Sequence, residues 1–397
     1  MVLRCCQAVV CICSLACSAI GQEAWKRYAI DDELRGADGV KLADANGDGL
    51  LDIVTGWEES GRTRAYFHPG RAKATSQWPF VDLGKTPSTE DAAWVDLDGD
   101  GQLDVVSSCE GKEQSLHLIF APSQRNDLMR ADAWRHEVLD CSKNVTRWMF
   151  AISLDEKNSA SAPIVLASKD PNGQIALLRR SGSGPKDWRI QKLAKASWIM
   201  SVFAFDMDGD GDNDILYDDR KSSKSGVYWL ENPGEDTLDW TQHRIGPIGG
   251  QVMFMDVAIK QGAVHIHVAE KPNTVLHYHS KQIDAKTGDW EVESFPVEPF
   301  PKFGNAKGVA VGDLDGDGQD EIVYSCESAN PPKHGVIYLK KSEDKWLWND
   351  VSGPDGIKFD LIELVDIDRD GDLDILTCEE RHQGRGLGVV WYANPAR

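Results

Sequence analysis

Five short segments of this sequence carry oxygen-bearing side chains at matching positions of a nine-residue stretch. Positions 1, 3, 5 and 9 hold Asp, Asn or Glu in all five segments, and position 6 is always glycine. Oxygens with this spacing can converge on one hard cation, and the glycine permits the turn that folds them around it. The sequence therefore predicts about five structural calcium sites. Their ligands are Asp44, Asn46, Asp48 and Asp52; Asp96, Asp98, Asp100 and Asp104; Asp206, Asp208, Asp210 and Asp214; Asp313, Asp315, Asp317 and Glu321; and Asp366, Asp368, Asp370 and Asp374.

An EF-hand is the obvious alternative for these loops, but two features exclude it. An EF-hand needs a Glu at position 12, where these segments have Thr, Ser or Tyr, and it needs flanking helices. The flanks here are β-branched or alternating, which is typical of strands. Acidic surface turns without metal are the other alternative, which five copies in register disfavour. Nineteen of the twenty ligand side chains are carboxylates that would repel one another without a cation, so we expect the metal to be structural.

A repeat of 50 to 56 residues positions the acidic loops along the chain. Each copy has a Trp followed five residues later by an apolar residue, and an acidic loop follows most of these Trp. Two reduced copies of the loop, at 153–155 and at Asp256, bring the number of units to seven. Fixed periods of this length indicate a propeller, a solenoid or an array. The Trp landmarks are Trp25, Trp78, Trp134, Trp188, Trp240, Trp290 and Trp346.

Each unit contains four stretches with strand character, which predicts one propeller blade per unit. The chain ends just after a third-strand copy, and the missing Trp strand is present near the N-terminus, at 25–30. The N-terminal strand is therefore expected to complete the last blade, which removes the unpaired edges of an open array. The sequence predicts an all-β, seven-bladed β-propeller, with a capped linear solenoid as the alternative.

The loop at 311–318 and the strand at 226–233, Gly-Val-Tyr-Trp-Leu-Glu-Asn-Pro, resemble FG-GAP/VCBS repeats. The resemblance covers residues 23–397. It implies an integrin-α-like propeller that binds calcium between the first two strands of each blade. It implies little about activity, because such propellers serve adhesion, sugar binding and catalysis alike. The Phe-Gly and Gly-Ala-Pro marks of integrins are absent, so integrin-style partner binding is not implied.

Residues 1–21 have the pattern of a secretory signal peptide. One basic residue precedes an apolar stretch at 5–16, and small residues close the segment. This stretch is shorter than the ~20 residues that a membrane span needs. We expect residues 22–397 to form a single propeller, secreted or periplasmic, without a membrane span. A lipoprotein anchor at Cys17 is the less favoured alternative.

The charge balance limits the possible partners. The 397-residue chain has a formal net charge of −21, which disfavours nucleic acids and anionic membranes because phosphates would be repelled. We expect a monomer whose partner is a carbohydrate or an extracellular protein. Four cysteines follow the signal segment, and their repeat positions favour the pairs Cys109–Cys141 and Cys326–Cys378 over other pairings. Free buried thiols are an equally open alternative.

The face opposite the calcium loops is the predicted ligand site. There the loops between the second and third strands carry a charged residue six positions past the last calcium ligand, and the interblade loops add further charges and Trp. This mixture of charges and aromatic rings suits a sugar ligand. The alternative is that these residues are only solvated charges in loops. The recurring residues are Glu58, Glu110, Arg220, Glu327 and Glu380, with Lys169 and Glu270-Lys271 in the two reduced blades and Glu90, Trp198, Lys307 and Lys358 nearby.

Two functions remain open from the sequence. The first is a secreted, calcium-binding propeller that binds a carbohydrate or a protein on this face. The alternative is a polysaccharide lyase or sugar dehydratase acting by β-elimination, which needs a base, a proton donor and a cation. His265 and His267 alternate on one predicted strand face, where we expect packing or surface roles. The catalytic candidates are His334, His382, Tyr324, Arg381 and Lys358.

Overall fold

The chain forms seven four-stranded antiparallel sheets, which we call blades 1 to 7 in chain order. The computed structural model describes residues 24–155, 162–182, 187–221, 223, 225–234, 239–246, 249–280, 290–343, 345–380, 384 and 386–395. The predicted signal segment and the candidates Arg381 and His382 lie outside these residues.

The strands are short and follow one another through turns, as the period-2 patterning predicts. They are β1 (Lys26–Asp31), β2 (Ala37–Ala43), β3 (Asp52–Trp57), β4 (Arg62–Tyr66), β5 (Phe80–Lys85), β6 (Thr89–Val95), β7 (Asp104–Cys109), β8 (Ser115–Phe120), β9 (Arg135–Val138), β10 (Arg147–Ser153), β11 (Ile164–Lys169), β12 (Gln174–Arg180), β13 (Trp188–Lys195), β14 (Val202–Phe205), β15 (Asp214–Asp219), β16 (Gly226–Glu231), β17 (Thr241–Ile245), β18 (Gln251–Lys260), β19 (Ala263–Lys271), β20 (Thr274–Ser280), β21 (Trp290–Pro296), β22 (Asn305–Gly312), β23 (Glu321–Glu327), β24 (Val336–Ser342), β25 (Lys345–Asp350), β26 (Phe359–Val365), β27 (Asp374–Glu379) and β28 (Gly388–Ala393). Short 3-10 helices cover Arg71–Lys73, Arg125–Asp127, Ala131–Ala133, Asp140–Ser142 and Phe300–Lys302.

The strand order confirms the predicted seven-bladed propeller. Blade 1 has the order β2-β3-β4-β5, and blades 2 to 6 repeat it with the next strands in the chain. The first strand of each blade lies innermost, since β6 contacts β2 and β10, and β22 contacts β18 and β26. Blade 7 has the order β26-β27-β28-β1, so the N-terminal strand completes it. Tyr28 pairs with Trp391 in this closure, and the Trp25 amide donates to the Val351 carbonyl at 2.9 Å.

The repeating Trp marks the start of the outermost strand in each blade. Trp78 and Trp134 are buried between blades, and each indole N–H donates to a backbone carbonyl, at 3.1 and 2.9 Å. Trp25 and Trp188 are also buried, whereas Trp240, Trp290 and Trp346 are half-buried, so the packing of a large ring accounts for the recurrence of this residue. No helix in the described ranges is long and apolar enough to cross a bilayer.

The predicted disulfides are wrong: all four cysteines that follow the signal segment are free. Cys109, Cys326 and Cys378 lie inside strands β7, β23 and β27 rather than in loops, and they are fully buried. Cys141 is exposed beyond β9, where its thiol lies 3.7 Å from the Trp188 carbonyl of blade 3. The repeat position indicated the right end of each blade. It did not show that Cys326 and Cys378 belong to different hydrophobic clusters, or that Cys141 is exposed while Cys109 is buried.

Candidate functional site

The five acidic loops connect the first and second strands of blades 1, 2, 4, 6 and 7. Each loop repeats one hydrogen-bond pattern that the chain itself supplies. In blade 2, the Asp96 carboxylate accepts from the amides of Gly99 and Gly101 at 2.7 and 3.1 Å, and Asp100 accepts from the Gln102 amide at 2.8 Å. Gly99 and Gly101 have φ values of 82° and 83°, in the left-handed region that strains the backbone of residues with a Cβ and therefore favours glycine. The loops are therefore folded with their carboxylates gathered on one side.

Three loops bring their predicted ligands within reach of one cation. The groups Asp96–Asp98–Asp104, Asp206–Asp208–Asp210 and Asp313–Asp315–Glu321 each place one oxygen per residue within 4.8 Å of the others. An all-oxygen donor set of this kind suits calcium rather than a softer metal. The residues present therefore fit the predicted ion, although calcium itself stays a prediction.

The residue at position 9 has a second role that the sequence pattern did not reveal. It is the first residue of the second strand and is buried in all five loops. In blade 2, the Asp104 carboxylate accepts from the Leu97 amide at 2.8 Å and from the Ala121 amide, beyond β8, at 2.7 Å. Burial raises the pKa of Asp104 to about 8. This side chain therefore ties the loop to the end of the third strand, whether or not it also contacts a metal.

The acidic loop of blade 6 contacts a lysine from a neighbouring strand of the same blade. Lys340, on β24, forms ion pairs with Asp315 and, at 2.9 Å, with Asp317, and it lies 3.8 Å from Glu321. Its hydrogen bonds with Asp315 and Asp317 raise its own pKa above the usual range. An ammonium group at this place partly neutralises the carboxylates, so it competes with a cation for them.

The two reduced copies of the loop differ from the five complete ones. In blade 5, β18 runs to Lys260 and β19 begins at Ala263, so a two-residue turn, Gln261-Gly262, replaces the loop. Both turn residues have positive φ, 52° and 80°, as tight hairpins of this kind require. Asp256 lies inside β18 and accepts from the Val311 amide of blade 6 at 2.8 Å. In blade 3, the connection between β10 and β11 is described only at 154–155 and 162–163.

The predicted charged positions all lie where the second strand of a blade ends, on the face opposite the acidic loops. We call these seven residues the mouth: Glu58, Glu110, Lys169, Arg220, Lys271, Glu327 and Glu380. The register of blades 3, 5 and 6 places Lys169 and Lys271 opposite the first residue of the innermost strand, as it places Glu327. Blades 6, 7, 1 and 2 therefore contribute acids, and blades 3, 4 and 5 contribute bases.

Ion pairs connect the mouth residues of neighbouring blades. Lys169 pairs with Glu110 and, at 3.1 Å, with Glu90, while Lys271 pairs with Glu327. One oxygen each of Glu58, Glu90 and Glu110 lie within 4.8 Å of one another. Burial raises the pKa of Glu90 to about 8, although the Lys169 ammonium opposes this. Most of the mouth residues are thus ion-paired rather than separate solvated charges.

Two mouth contacts were missed by the sequence analysis. Asp38 and Asp360 lie at the start of the innermost strands β2 and β26 and are buried. Lys307 is 3.0 Å from Asp360, and its ammonium outweighs the effect of burial, so that the pKa of Asp360 falls to about 2. Burial instead raises the pKa of Asp38, and the neighbouring Glu380 adds to this shift. A carboxylate at the second position of an inner strand was the available signal.

A cavity of about 460 Å³ opens beside the base side of the mouth, in the groove between blades 3 and 4. Its aromatic walls are Tyr217, Tyr228 and Trp240, and Gln242 donates to the Tyr217 hydroxyl. Tyr217 and Tyr228 stack at 5.7 Å between ring centroids. Ser197 and Asp219 line the end of the cavity nearest the mouth.

Trp198 lies next to this cavity and is surrounded by cations. The Lys221 ammonium is 3.6 Å from its ring centroid, Lys169 is at 4.4 Å and the Arg220 guanidinium is at 5.2 Å. The Asp219 carboxylate accepts from the Ser197 and Trp198 amides at 3.0 and 3.1 Å and so fixes the segment that carries the ring. An aromatic face, an adjacent cavity and three cations therefore occupy one region.

The described catalytic candidates lie in different surroundings. His334 is hydrogen bonded to Asp350 within blade 6, at 2.8 Å, and Lys358 is paired with Glu380 at the mouth. Tyr324 is fully buried in the core, which raises the pKa of its hydroxyl. A group without access to solvent cannot reach a substrate unless the sheet opens, so these three residues do not form one reacting constellation.

Comparisons with known proteins agree with this fold. The FG-GAP-like repeat family FG-GAP_3 matches residues 28–107, which confirms the predicted resemblance. A search of curated proteins found no match. Among solved structures, the chain is similar to the BBS1N component of its complex with ARL6DN, soaked with mercury, with 12% identity, a TM-score of 0.52 and coverage of 93% of this chain and 96% of that one.

A second solved structure is the Cps50 (Swd1) β-propeller domain of Myceliophteria thermophila. It shares 9% identity with this chain, with a TM-score of 0.56 and coverage of 93% of this chain and all of the other. At such identities these similarities show a common propeller fold and nothing finer.

Proposed function

We propose that this protein is an exported, calcium-binding β-propeller that binds an acidic carbohydrate beside the mouth, between blades 3 and 4. The cavity of about 460 Å³ with its three aromatic walls carries the proposal. Its volume lies within the range of small-molecule sites, which is roughly 300–1,000 Å³. Aromatic rings offer stacking faces for sugar rings, and Gln242 and Ser197 offer hydrogen bonds to hydroxyl groups.

The cations near the cavity support an acidic sugar over a neutral one. Arg220 and Lys221 lie beside Trp198 and among the described residues have no ion pair closer than 4 Å. A uronic acid stacked on Trp198 would bring its carboxylate to these two groups. The Arg220 guanidinium can bind a carboxylate in a bidentate manner, which adds geometric selectivity.

Calcium has a structural role in this proposal. The acidic loops lie on the opposite face from the cavity, so the ions would stabilise the blades rather than contact the sugar. Export fits both the predicted signal segment and the millimolar calcium of extracellular fluids, since extracellular modules bind calcium with dissociation constants on the order of 10⁻⁴–10⁻³ M.

A calorimetric titration of the calcium-loaded protein with uronic-acid oligosaccharides tests the proposal, after a screen that includes neutral sugars of the same length. We expect Trp240→Ala to weaken binding at least tenfold. The matched control is Trp290→Ala, because Trp290 occupies the same repeat position in blade 5, away from the cavity. We expect Arg220→Gln to reduce the preference for acidic over neutral sugars. If neither sugar class binds, the proposal fails.

A protein ligand is the alternative outcome of this test. The similar BBS1N propeller is found in complex with ARL6DN, and a propeller face can serve either class of ligand. An ultraviolet absorbance time course with the same oligosaccharides tests β-elimination separately, because a lyase would generate unsaturated products. A rising trace would replace simple binding by catalysis at this site.

A further inference from the structure

Blade 5 carries four histidines on one face of its sheet, close to the tight turn that replaces an acidic loop. His265 lies directly opposite His279, and His267 lies opposite His277, on the paired strands β19 and β20. The next strand, β21, places Glu293 opposite His277 and Glu291 opposite His279. Side chains of directly opposed residues share a face, so these six groups form one patch, which we call the histidine ladder.

Two imidazole nitrogens of the ladder lie at the separation expected for ligands of one metal ion. His265 Nδ1 and His277 Nε2 are 3.0 Å apart. At nitrogen–metal distances of about 2.1 Å, two ligand nitrogens lie about 3.0 Å apart at the right angles of a Cu²⁺ site and about 3.4 Å apart at the tetrahedral angle of a Zn²⁺ site. Without an ion, one of these two nitrogens donates a hydrogen bond to the other. A small movement of the rings would let both nitrogens bind an ion instead.

His279 has the hydrogen-bond pattern of a metal ligand that lacks its metal. Its Nε2 lies 3.2 Å from the Glu291 carboxylate, while its Nδ1 is buried and has no partner among the described residues. Metal-bound histidines usually donate their other ring N–H to a carboxylate, which fixes the tautomer and orients the ring. On the same side, Glu293 lies 3.9 Å from Nδ1 of His277, whose Nε2 faces His265.

Packing and hydrogen bonds hold the rings of the ladder in place. His267 stacks on His277 at 4.2 Å between ring centroids and fixes its plane. The charged groups that face the ladder from β18 and blade 6 are Lys260 and Asp320, which pair with each other, and Asp256 on β18.

We propose that His265, His277 and His279 bind one late first-row divalent cation of the Zn²⁺ or Cu²⁺ class in the groove beside blade 5. Imidazole donors favour these ions over calcium, which prefers oxygen ligands. The site is thus separate in ligand chemistry and in place from the acidic loops. It does not depend on the proposed carbohydrate function, since none of the three histidines lines the cavity between blades 3 and 4.

The test uses the full chain without a polyhistidine tag, stripped of transition metals and then saturated with calcium. Isothermal titration with Zn²⁺ is expected to show one ion bound per chain at this site. Electron paramagnetic resonance with one equivalent of Cu²⁺ is expected to show coupling to at least two nitrogens. We expect the double variant His265→Ala/His277→Ala to weaken Zn²⁺ binding at least a hundredfold and to lose the nitrogen coupling. We expect Glu291→Gln to weaken binding by about tenfold, as outer partners of ligating histidines do.

Blade 2 provides a matched control. His117 Nδ1 and His136 Nε2 lie 2.8 Å apart, but His117 Nε2 already has Ser115 as a partner at 3.2 Å. We expect His117→Ala/His136→Ala to leave both readouts unchanged. Equal losses in both double variants, or Zn²⁺ binding that survives in His265→Ala/His277→Ala, would overturn the proposal. Thermal melting of each variant in calcium identifies any loss that comes from unfolding.

Discussion

Blades 5 and 6 are neighbours with the same strand order, yet they solve the turn between their first two strands in opposite ways. Blade 6 uses a nine-residue acidic loop whose carboxylates need a counter-charge, and Lys340 partly supplies it. Blade 5 extends both strands and joins them through Gln261-Gly262. The acidic loop is therefore not required to close a blade. Where it is present, the proposed calcium site would make the stability of that blade depend on a cation.

Removal of calcium should produce the largest difference between these blades. At tenfold excess calcium, one site adds roughly 1.4 kcal/mol, so five independent sites add about 7 kcal/mol. We therefore expect a chelator to lower the melting temperature strongly. Hydrogen exchange should show the loss of protection at 44–52, 96–104 and 206–214, while the hairpin at 258–265 stays protected. Uniform loss of protection in blade 5 as well would mean that the propeller opens cooperatively as a whole, and an unchanged melting temperature would disprove the calcium sites.

The two roles of the loop carboxylates can be separated in blade 2. In Asp104→Asn, the side-chain NH₂ group faces one of the two buried backbone amides, which then has no hydrogen-bond acceptor. We therefore expect a loss of about 3 kcal/mol in the free energy of unfolding even in chelator. The matched variant is Asp98→Asn at exposed position 3, which should change that free energy little in chelator and lose calcium binding. Urea denaturation with and without calcium measures both. Equal effects of the two variants in chelator would contradict the structural role of Asp104.

Lys340 offers a way to make blade 6 more dependent on calcium. Its ammonium contacts the carboxylates that would hold the ion, so Lys340→Gln should strengthen calcium binding at this loop by about fivefold, which is about 1 kcal/mol. Terbium luminescence titration, sensitised by nearby aromatic residues, measures the change. Lys341→Gln is the control, because the neighbouring side chain lies near Trp346 instead. Similar affinities in both variants would mean that Lys340 does not compete with the ion.

The smallest expected effect concerns backbone strain in blade 7. Position 4 of this loop is Arg369 with φ 61°, whereas the equivalent Gly99 of blade 2 has φ 82°. A left-handed conformation costs an L-residue about 1–2 kcal/mol, which glycine avoids. Glycine loses more chain entropy on folding, however, and this offsets part of the gain. We expect Arg369→Gly to stabilise the protein by about 0.5 kcal/mol in chelator. Gly99→Arg should destabilise it by a similar or larger amount, and a stabilising Gly99→Arg would refute the argument from strain.

Much of the fold could be predicted from the sequence because its signals are local and repeated. The Trp landmark, the acidic loop and the β-branched second strand each depend on neighbours within a few residues. Because the unit occurs seven times, the repeat is recognisable even though two copies have lost the acidic loop. Closure by β1 followed from counting strands. The tight hairpin of blade 5 was less accessible, because a single Asp256 was the only remnant of the loop pattern.

The candidate sites show where local signals fail. The charged position after the second strand was found correctly in each blade, but the partner of each charge depends on the neighbouring blade. Lys169 binds carboxylates of blade 2, and Lys271 binds one of blade 6. The disulfide prediction failed for a related reason, since residues at the same end of adjacent sheets can point into different packing layers.

The sequence by itself determined the seven units, their four strands and the acidic loops, because each of these is encoded within about fifty residues and repeated. The tertiary structure alone decided which charges meet at the mouth, that a cavity opens between blades 3 and 4, and that four histidines share one face. The physical reason is the ring closure. It brings together residues that are far apart in the chain, and their distances and burial then determine which groups are neutral, paired or available to bind a ligand.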